Sequence, residues 1–242
     1  MILQVSFAIA AVLGGAIASS TGFGIGSILT PLLSLQVGIK VAVAAVAIPH
    51  FIATGLRFWL LRKEVDRGIL LHFGILSAIG GLAGALLHSF ANSPVLSGVF
   101  AGLLFFAGSL ELTGKSREIR FSRRTAWVAG VVSGLLGGLV GNQGGIRSAA
   151  LLGFDVKRQA FVATATATGL IVDAVRMPVY LANEFPSLIS MCPTIGLLSI
   201  AAVIGTVIGE RTLHVIPEEW FRRSVGLILL ALGAFMLYRA FP

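Results

Sequence analysis

Three arginines, Arg57, Arg147 and Arg176, lie in stretches that are otherwise almost free of charge. A guanidinium keeps its charge and offers five N–H donors in a rigid fork, which suits an oxyanion. Inside a membrane-length apolar segment such a charge is costly unless paired or hydrated, so each arginine is a functional candidate. Arg147 follows Gly145 by two positions and has no partner nearby in sequence, which makes it the strongest anion ligand of the three. Arg57 precedes Arg62 by five, so snorkelling to an interface is its alternative role. Arg176 has Asp173 one helical turn earlier, as a structural pair or as a carboxylate that an anion displaces. His50 follows Pro49, whose ring frees a backbone carbonyl. His50 and Asp173 are the candidates for carrying a coupling proton. Thr164, Thr166 and Thr168 either line a path or bond to their own helix. His72, His88 and His214 fall near segment ends and read as interfacial.

Two glycine knots stand beside these residues. Residues 19–31, SSTGFGIGSILTP, recur in altered form at 138–150, GLVGNQGGIRSAA. An offset of 119, the spacing of Gly22 and Gly141, also lays Gly26 on Gly145 and Arg57 on Arg176. Glycine lets a helix end and the chain turn without a side-chain clash. A helix that starts inside a membrane presents unpaired N–H groups, which attract anions. Backbone at that depth survives only within protein or beside a water cavity. The candidate substrate ligands are therefore Gly24, Gly26 and Ser27 in the first knot and Gln143, Gly144, Gly145 and Ser148 in the second, with the three arginines. Ser19, Ser20, Thr21, Thr30 and Asn142 add further polar groups. A packing seam of small residues is the plainer alternative.

The elements that must position them follow from composition. The chain has 242 residues, 56% apolar and 12% charged, with 30 glycines. Mean hydropathy is +0.96. A soluble domain carries about 25% charged residues, so most of this surface must face lipid. Apolar segments run over 3–19, 25–37, 41–61, 69–90, 95–112, 126–140, 145–154, 159–182, 188–209 and 222–241. A crossing needs about 20 residues. The pairs 3–19 with 25–37 and 126–140 with 145–154 are shorter and meet at the knots, so they read as hairpins or broken helices. The charge-poor stretch 183–193 reads as an outer connector.

Of the 18 Lys and Arg, all but Lys40, Arg57, Arg147, Arg176 and Arg239 fall on one face if each knot enters and returns. That face is then cytoplasmic, and Trp59, Trp127 and Trp220 lie at its interface. Each half becomes a re-entrant pair plus three spans, and an odd number of spans inverts the second half. Counting four ordinary spans per half gives parallel repeats instead. The basic stretch 113–125 divides the halves: 1–112 is the first membrane repeat, 113–125 a cytoplasmic linker and 126–242 the second repeat. The expected fold is all-α and polytopic, with two pseudo-symmetric, inverted repeats.

The net charge of +8 does not indicate nucleic acid, because the cations occupy short connectors and no soluble basic domain exists. Cys192 is alone, so neither an internal disulfide nor a cysteine metal site can form. No HExxH, GxxxxGK[ST] or strand-borne GxGxxG occurs, and neither a cofactor nor catalysis is implied. The first apolar stretch lacks a basic leader and reads as mature protein.

The knots carry a family likeness. The chain resembles the TauE/SafE family, the sulfite exporter-like or TSUP transporters, whose motif reads approximately G-x-G-G-G-x-x-x-x-P. Gly22, Gly24, Gly26 and Pro31 match it, with Ile25 replacing a glycine. Gly141, Gly144 and Gly145 match in the second copy, where Gln143 replaces a glycine and Ala150 the proline. VATATATG at 162–169 is similar to the family's pattern after the second knot. The resemblance implies a secondary transporter, an exporter of sulfite or an organosulfonate by alternating access in a bacterial inner membrane. Its partners would be the anion and the bilayer, with a homodimer left open. A passive anion channel is the alternative, sharing the arginines but needing no coupling group.

Overall fold

The computed structural model describes residues 2–21, 24–114, 123–142, 144–152, 154, 157–212 and 218–240. Among these the backbone is helical and forms no strand. The helices are α1 (Ile2–Thr21), α2 (Ile25–Leu61), α3 (Arg67–Ile69), α4 (Ile75–Phe90), α5 (Ser93–Thr113), α6 (Arg123–Val140), α7 (Gly144–Leu152), α8 (Arg158–Ser190), α9 (Cys192–Thr212) and α10 (Glu218–Ala240). A 3-10 turn at Arg62–Glu64 follows α2, and a π turn at Leu70–Gly74 carries α3 into α4.

Local chemistry sets several of these ends. Asp66 caps α3 by accepting the Ile69 N–H at 3.0 Å, and Asn92 caps α5 by accepting the Val95 N–H at 3.0 Å. Inside α2 the helix breaks at Gly38, with φ 76° and ψ 163°. The piece before that break covers about 20 Å at 1.5 Å per residue, well short of a 30 Å hydrocarbon core. The nine residues of α7 cover roughly 14 Å. The first piece of α2 and the whole of α7, which follow the knots, are thus each shorter than a crossing.

Five stretches among the described residues are long and apolar enough to span a membrane: Ile25–Glu64, Arg67–Phe90, Ser93–Thr113, Gln159–Ser190 and Cys192–Arg211. α10 has 23 residues but is not among the five. Exposed apolar rows such as Val5, Ile9 and Leu13 on α1, or Ile75, Ile79, Leu82 and Leu86 on α4, have helical spacing and suit contact with lipid.

The apolar part of α1, Gln4–Ser19, is shorter than a full crossing, as the segment at 3–19 leads one to expect. One boundary differs from the sequence reading. The outer connector expected at 183–193 is instead mostly helical. α8 continues to Ser190 and departs from helical geometry only at Glu184. Pro186 explains the continuation, because a proline in the first turn after a break removes an N–H that would be unpaired anyway.

The packing interlocks the two ends of the chain. α1 packs on α9 and α6 on α4; α2 also meets α9, and α8 meets α4. α2 pairs with α8 and α5 with α10. Exchanging α1, α2, α4 and α5 for α6, α7/α8, α9 and α10 maps this set of contacts onto itself. Glycine permits the close crossings. At α5–α10, a Cβ on Gly108 would lie 2.9 Å from the Gly226 carbonyl oxygen, and one on Gly226 would lie 2.9 Å from that of Gly108. At α4–α6, Gly80 and Gly84 press on the backbone at Val131 and Leu135. Gly134 and Gly138 do the same at Ser77 and Gly81.

One end of the bundle gathers parts from both halves. Trp127, in the first turns of α6, lies 5.2 Å from His72 and 5.2 Å from Phe154 by ring centroids. Phe154 also meets Phe73 edge-on at 6.3 Å. The Asp66 N–H donates to Thr164 Oγ1 at 3.0 Å, near the start of α8. The start of α6 and Phe154, which follows α7, therefore lie at the same end of the bundle, on the side of the 62–67 turn.

Candidate functional site

The two knots touch. α1 ends at Thr21 and α2 begins at Ile25, with Gly24 between them at φ 156°. A Cβ there would lie 2.8 Å from the Gly14 carbonyl oxygen, so no other residue fits. α6 ends at Val140, and Gly141 turns the chain at φ 75° before α7. Gly26 lies directly on that turn: a Cβ on it would be 2.7 Å from the Gly141 carbonyl oxygen. The N-termini of α2 and α7 thus converge where two helices end. Gly144 and Gly145 open α7, and a Cβ on Gly145 would lie 3.7 Å from Ala107. Gly22 and Gln143 lie outside the described residues, so the donor role expected of Gln143 has no geometry here.

Buried polar atoms without hydrogen-bond partners collect around this contact. Thr30 Oγ1 and Asn142 Nδ2 are unpartnered, and both residues are buried. Ser148 Oγ on α7 is unpartnered as well. Ser27 is buried in the first turn of α2. A buried donor or acceptor left unmade is expensive and calls for an explanation such as a ligand or water.

Arg57 and Arg176 act on equivalent backbone atoms. Arg57 Nη1 donates to the Ala18 carbonyl in the last turn of α1. Arg176 Nη1 donates to the Gly137 carbonyl in the last turn of α6 at 2.5 Å. Ala18 and Gly137 are themselves separated by the repeat offset. A helix leaves its last four carbonyls unpaired, and cations favour that end of its dipole. Arg57 does not snorkel, since it is 5% exposed.

The second arginine is held further. Arg176 Nη2 pairs with Asp173 Oδ1 at 2.7 Å, as the spacing of three anticipates. Asp173, fully buried, pairs through Oδ2 with His50 Nδ1 at 2.6 Å. His50 is on α2 and Asp173 on α8, so this bond joins the two halves. Arg147, 2% exposed, rests its guanidinium against Gly169 of α8, where a Cβ would come within 2.6 Å of Nη1. It lies within electrostatic range of Asp173 and Arg176. The structure therefore gathers Arg147, Arg176, His50 and Asp173 beside the knots, with Arg57 on the α1 side.

Sequence reasoning missed two members of this framework. Tyr180 donates its hydroxyl to the Gly138 carbonyl. His88 Nδ1 bonds the Leu139 carbonyl at 2.7 Å. With Arg176, three successive carbonyls at the end of α6 are capped by side chains. His88 was expected at an interface but is 1% exposed, because α6 and Tyr180 close over it. Tyr180 carried a signal: it follows Arg176 by four, on the same helix face. The threonines of 162–169 are buried and hydrogen-bonded. Thr166 and Thr168 donate to Val162 and Thr164 carbonyls one turn back, and Thr164 accepts from Asp66.

An apolar groove of about 710 Å³ runs between α2, α8 and α9 and is lined by Ile48, Ile52, Phe185, Leu188, Ile195 and Ile200. None of the arginines lines it. Among the described residues no three His, Cys, Asp or Glu side chains gather in a way that could hold a metal ion.

Neither a curated protein nor a solved structure matches the chain. The family model described as "Sulfite exporter TauE/SafE" matches residues 7–236, nearly the whole sequence. With its helices long and apolar enough to cross a bilayer, the chain is a multi-pass membrane protein that belongs to the TauE/SafE family of membrane transporters.

Proposed function

We propose that this protein exports a small sulfur oxyanion, sulfite or an organosulfonate, as a secondary transporter working by alternating access. The observation that carries the reading is the contact of Gly26 with Gly141, which brings two helix N-termini and the buried, unpartnered Thr30 and Asn142 to one spot. The anion sits between the knots. Arg147, with Arg57 or Arg176, binds its negative group, and knot amides and hydroxyls complete the shell. An oxyanion has several acceptor oxygens for these donors, and charge-assisted bonds are the strong ones. The membrane is a bacterial inner membrane.

The two halves are inverted repeats, 1–112 and 126–242, joined by the basic linker. The clustering of His72, Trp127 and Phe154 supports this reading, because parallel repeats would put residues near 154 opposite the 62–67 turn. Rocking of one half against the other exposes the anion alternately to each side. The His50–Asp173 bond spans the halves, so a proton taken there links their motion to a proton gradient. Arg147, Arg176 and Tyr180 are the other ionisable groups around Asp173.

Reconstitution in liposomes tests this. Saturable exchange of labelled sulfite, inhibited by an organosulfonate and faster with an opposing proton gradient, is the expected result. No flux of sulfite, thiosulfate or any organosulfonate removes the sulfur reading. Single-channel currents replace the carrier with a channel.

A further inference from the structure

The repeat offset exposes an asymmetry between the two buried arginines. Along α8, Arg176 has Asp173 one turn before it and Tyr180 one turn after. The corresponding neighbours of Arg57 along α2 are Thr54 and Leu61. Arg176 consequently spends its guanidinium on the Asp173 carboxylate and the Gly137 carbonyl, with the Tyr180 ring 5.6 Å beneath it. Arg57 donates to the Ala18 carbonyl and has no carboxylate beside it on its helix, whereas the buried Nε is unpartnered in both arginines. It feels the exposed Glu210 electrostatically but forms no ion pair among the described residues. A third substitution completes the pattern. The position equivalent to His50 is Gly169, and the room an imidazole would occupy there is taken by the Arg147 guanidinium.

We infer that the halves have divided the labour: Arg57 is the arginine that binds the oxyanion together with Arg147, whereas Arg176 is a positioning residue that holds the end of α6. This rests on the transporter reading above and assigns its ligands. The charge of Arg176 is already answered by Asp173. The charge of Arg57 is not answered by any ion pair among the described residues, and a buried cation without a counter-charge is what an anion satisfies.

The experiment uses the full-length protein in detergent, with sulfite as probe and two readouts, the sulfite dissociation constant and the unfolding temperature. Arg57→Gln is expected to weaken sulfite binding about tenfold to hundredfold, the range for losing one charge-assisted bond. Its unfolding temperature should fall only modestly, by the loss of the Ala18 carbonyl cap, and by less than that of Arg176→Gln. Arg57→Lys, which keeps the charge but not the fork, should bind sulfite between the native protein and Arg57→Gln. Arg176→Gln should lower the unfolding temperature sharply, because it strands the Asp173 carboxylate. Asp173→Asn combined with Arg176→Gln removes both charges, and it should restore much of that loss while binding sulfite within about threefold of the native protein. The assignment is overturned if Arg57→Gln binds sulfite normally, or if the double variant loses sulfite as Arg57→Gln does. If the native protein binds neither sulfite nor thiosulfate, the transporter reading fails and takes the ligand role of Arg57 with it. The positioning role of Arg176 is then judged on stability alone, and is refuted if Arg57→Gln and Arg176→Gln are equally damaging and Asp173→Asn rescues neither.

Discussion

Replacing Gly26 with alanine adds one methyl group at the point where the knots meet. That carbon would lie 2.7 Å from the Gly141 carbonyl oxygen, while ordinary contact begins at 3.4 Å. The neighbour is backbone, so no side-chain rotation relieves the clash, and the knots must part by about 0.7 Å. Overpacking of this kind costs about 1–3 kcal/mol. Helix propensity works the other way, since alanine in place of glycine within a helix gains about 1 kcal/mol. The net expectation is a modest loss of stability and a much larger loss of transport, because the methyl group moves the two helix N-termini that face the anion. Misplacement by about 1 Å can cost a factor of 100 where geometry decides the rate. Gly102→Ala on α5 is the control: a Cβ there meets nothing within 4 Å, so only the propensity gain remains. The assay is sulfite exchange in liposomes, resolved into maximal rate and half-saturation, with thermal unfolding of both variants in parallel. Full exchange with unchanged half-saturation in Gly26→Ala would show that the knots do not form the site.

Further outcomes follow from other contacts. Tyr180→Phe should lower stability by about 1–2 kcal/mol by leaving the Gly138 carbonyl unmet, measured by thermal unfolding; no change would show that the carbonyl finds another donor. His50→Gln should leave sulfite exchange running while abolishing its response to a proton gradient, and an undiminished response would remove His50 from coupling. With the exposed native Cys192 replaced by serine, cysteines placed singly at 157 and 63 should react with an impermeant thiol reagent from the same side, and one at 40 from the opposite side. Labelling of 157 from the side of 40 would establish parallel repeats. Gly134→Leu should prevent folding, because the α4 backbone at Ser77 occupies that space; a well-folded variant would contradict the close α4–α6 crossing.

The breaks in this fold were readable because glycine and proline punctuate an otherwise apolar run. The end of α1, the start of α2 and the turn near Gly38 all fall where the residue types change. The Asp173–Arg176 pair was readable for a different reason, since a spacing of three on a helix fixes which side chains face each other. The His50–Asp173 bond was not, because it depends on α2 lying against α8 and no local pattern announces that pairing. His88 misled for a related reason. A histidine near a helix end looks interfacial until the chain end that covers it, here α6 with Tyr180, is brought in from far away in sequence. The carbonyl-capping role of both arginines was hidden in the same way, since helix periodicity says nothing of where another helix stops.

The exchange of first helices between halves bears on how the protein is made. α1 finds its glycine-lined seat on α9, and roughly 170 residues separate the end of one from the start of the other. At a synthesis rate of about 5–20 residues per second, α1 waits roughly 10–30 s in the bilayer before its partner emerges. During that interval Gly15, which meets α9 at Ala202 and Thr206, leaves bare backbone open to lipid or to other nascent helices. α6 faces no such delay, because α4 is already inserted when it appears. A ribosome stalled before α9 would leave α1 with α2 as a partner but without the helix that covers its Gly15 face.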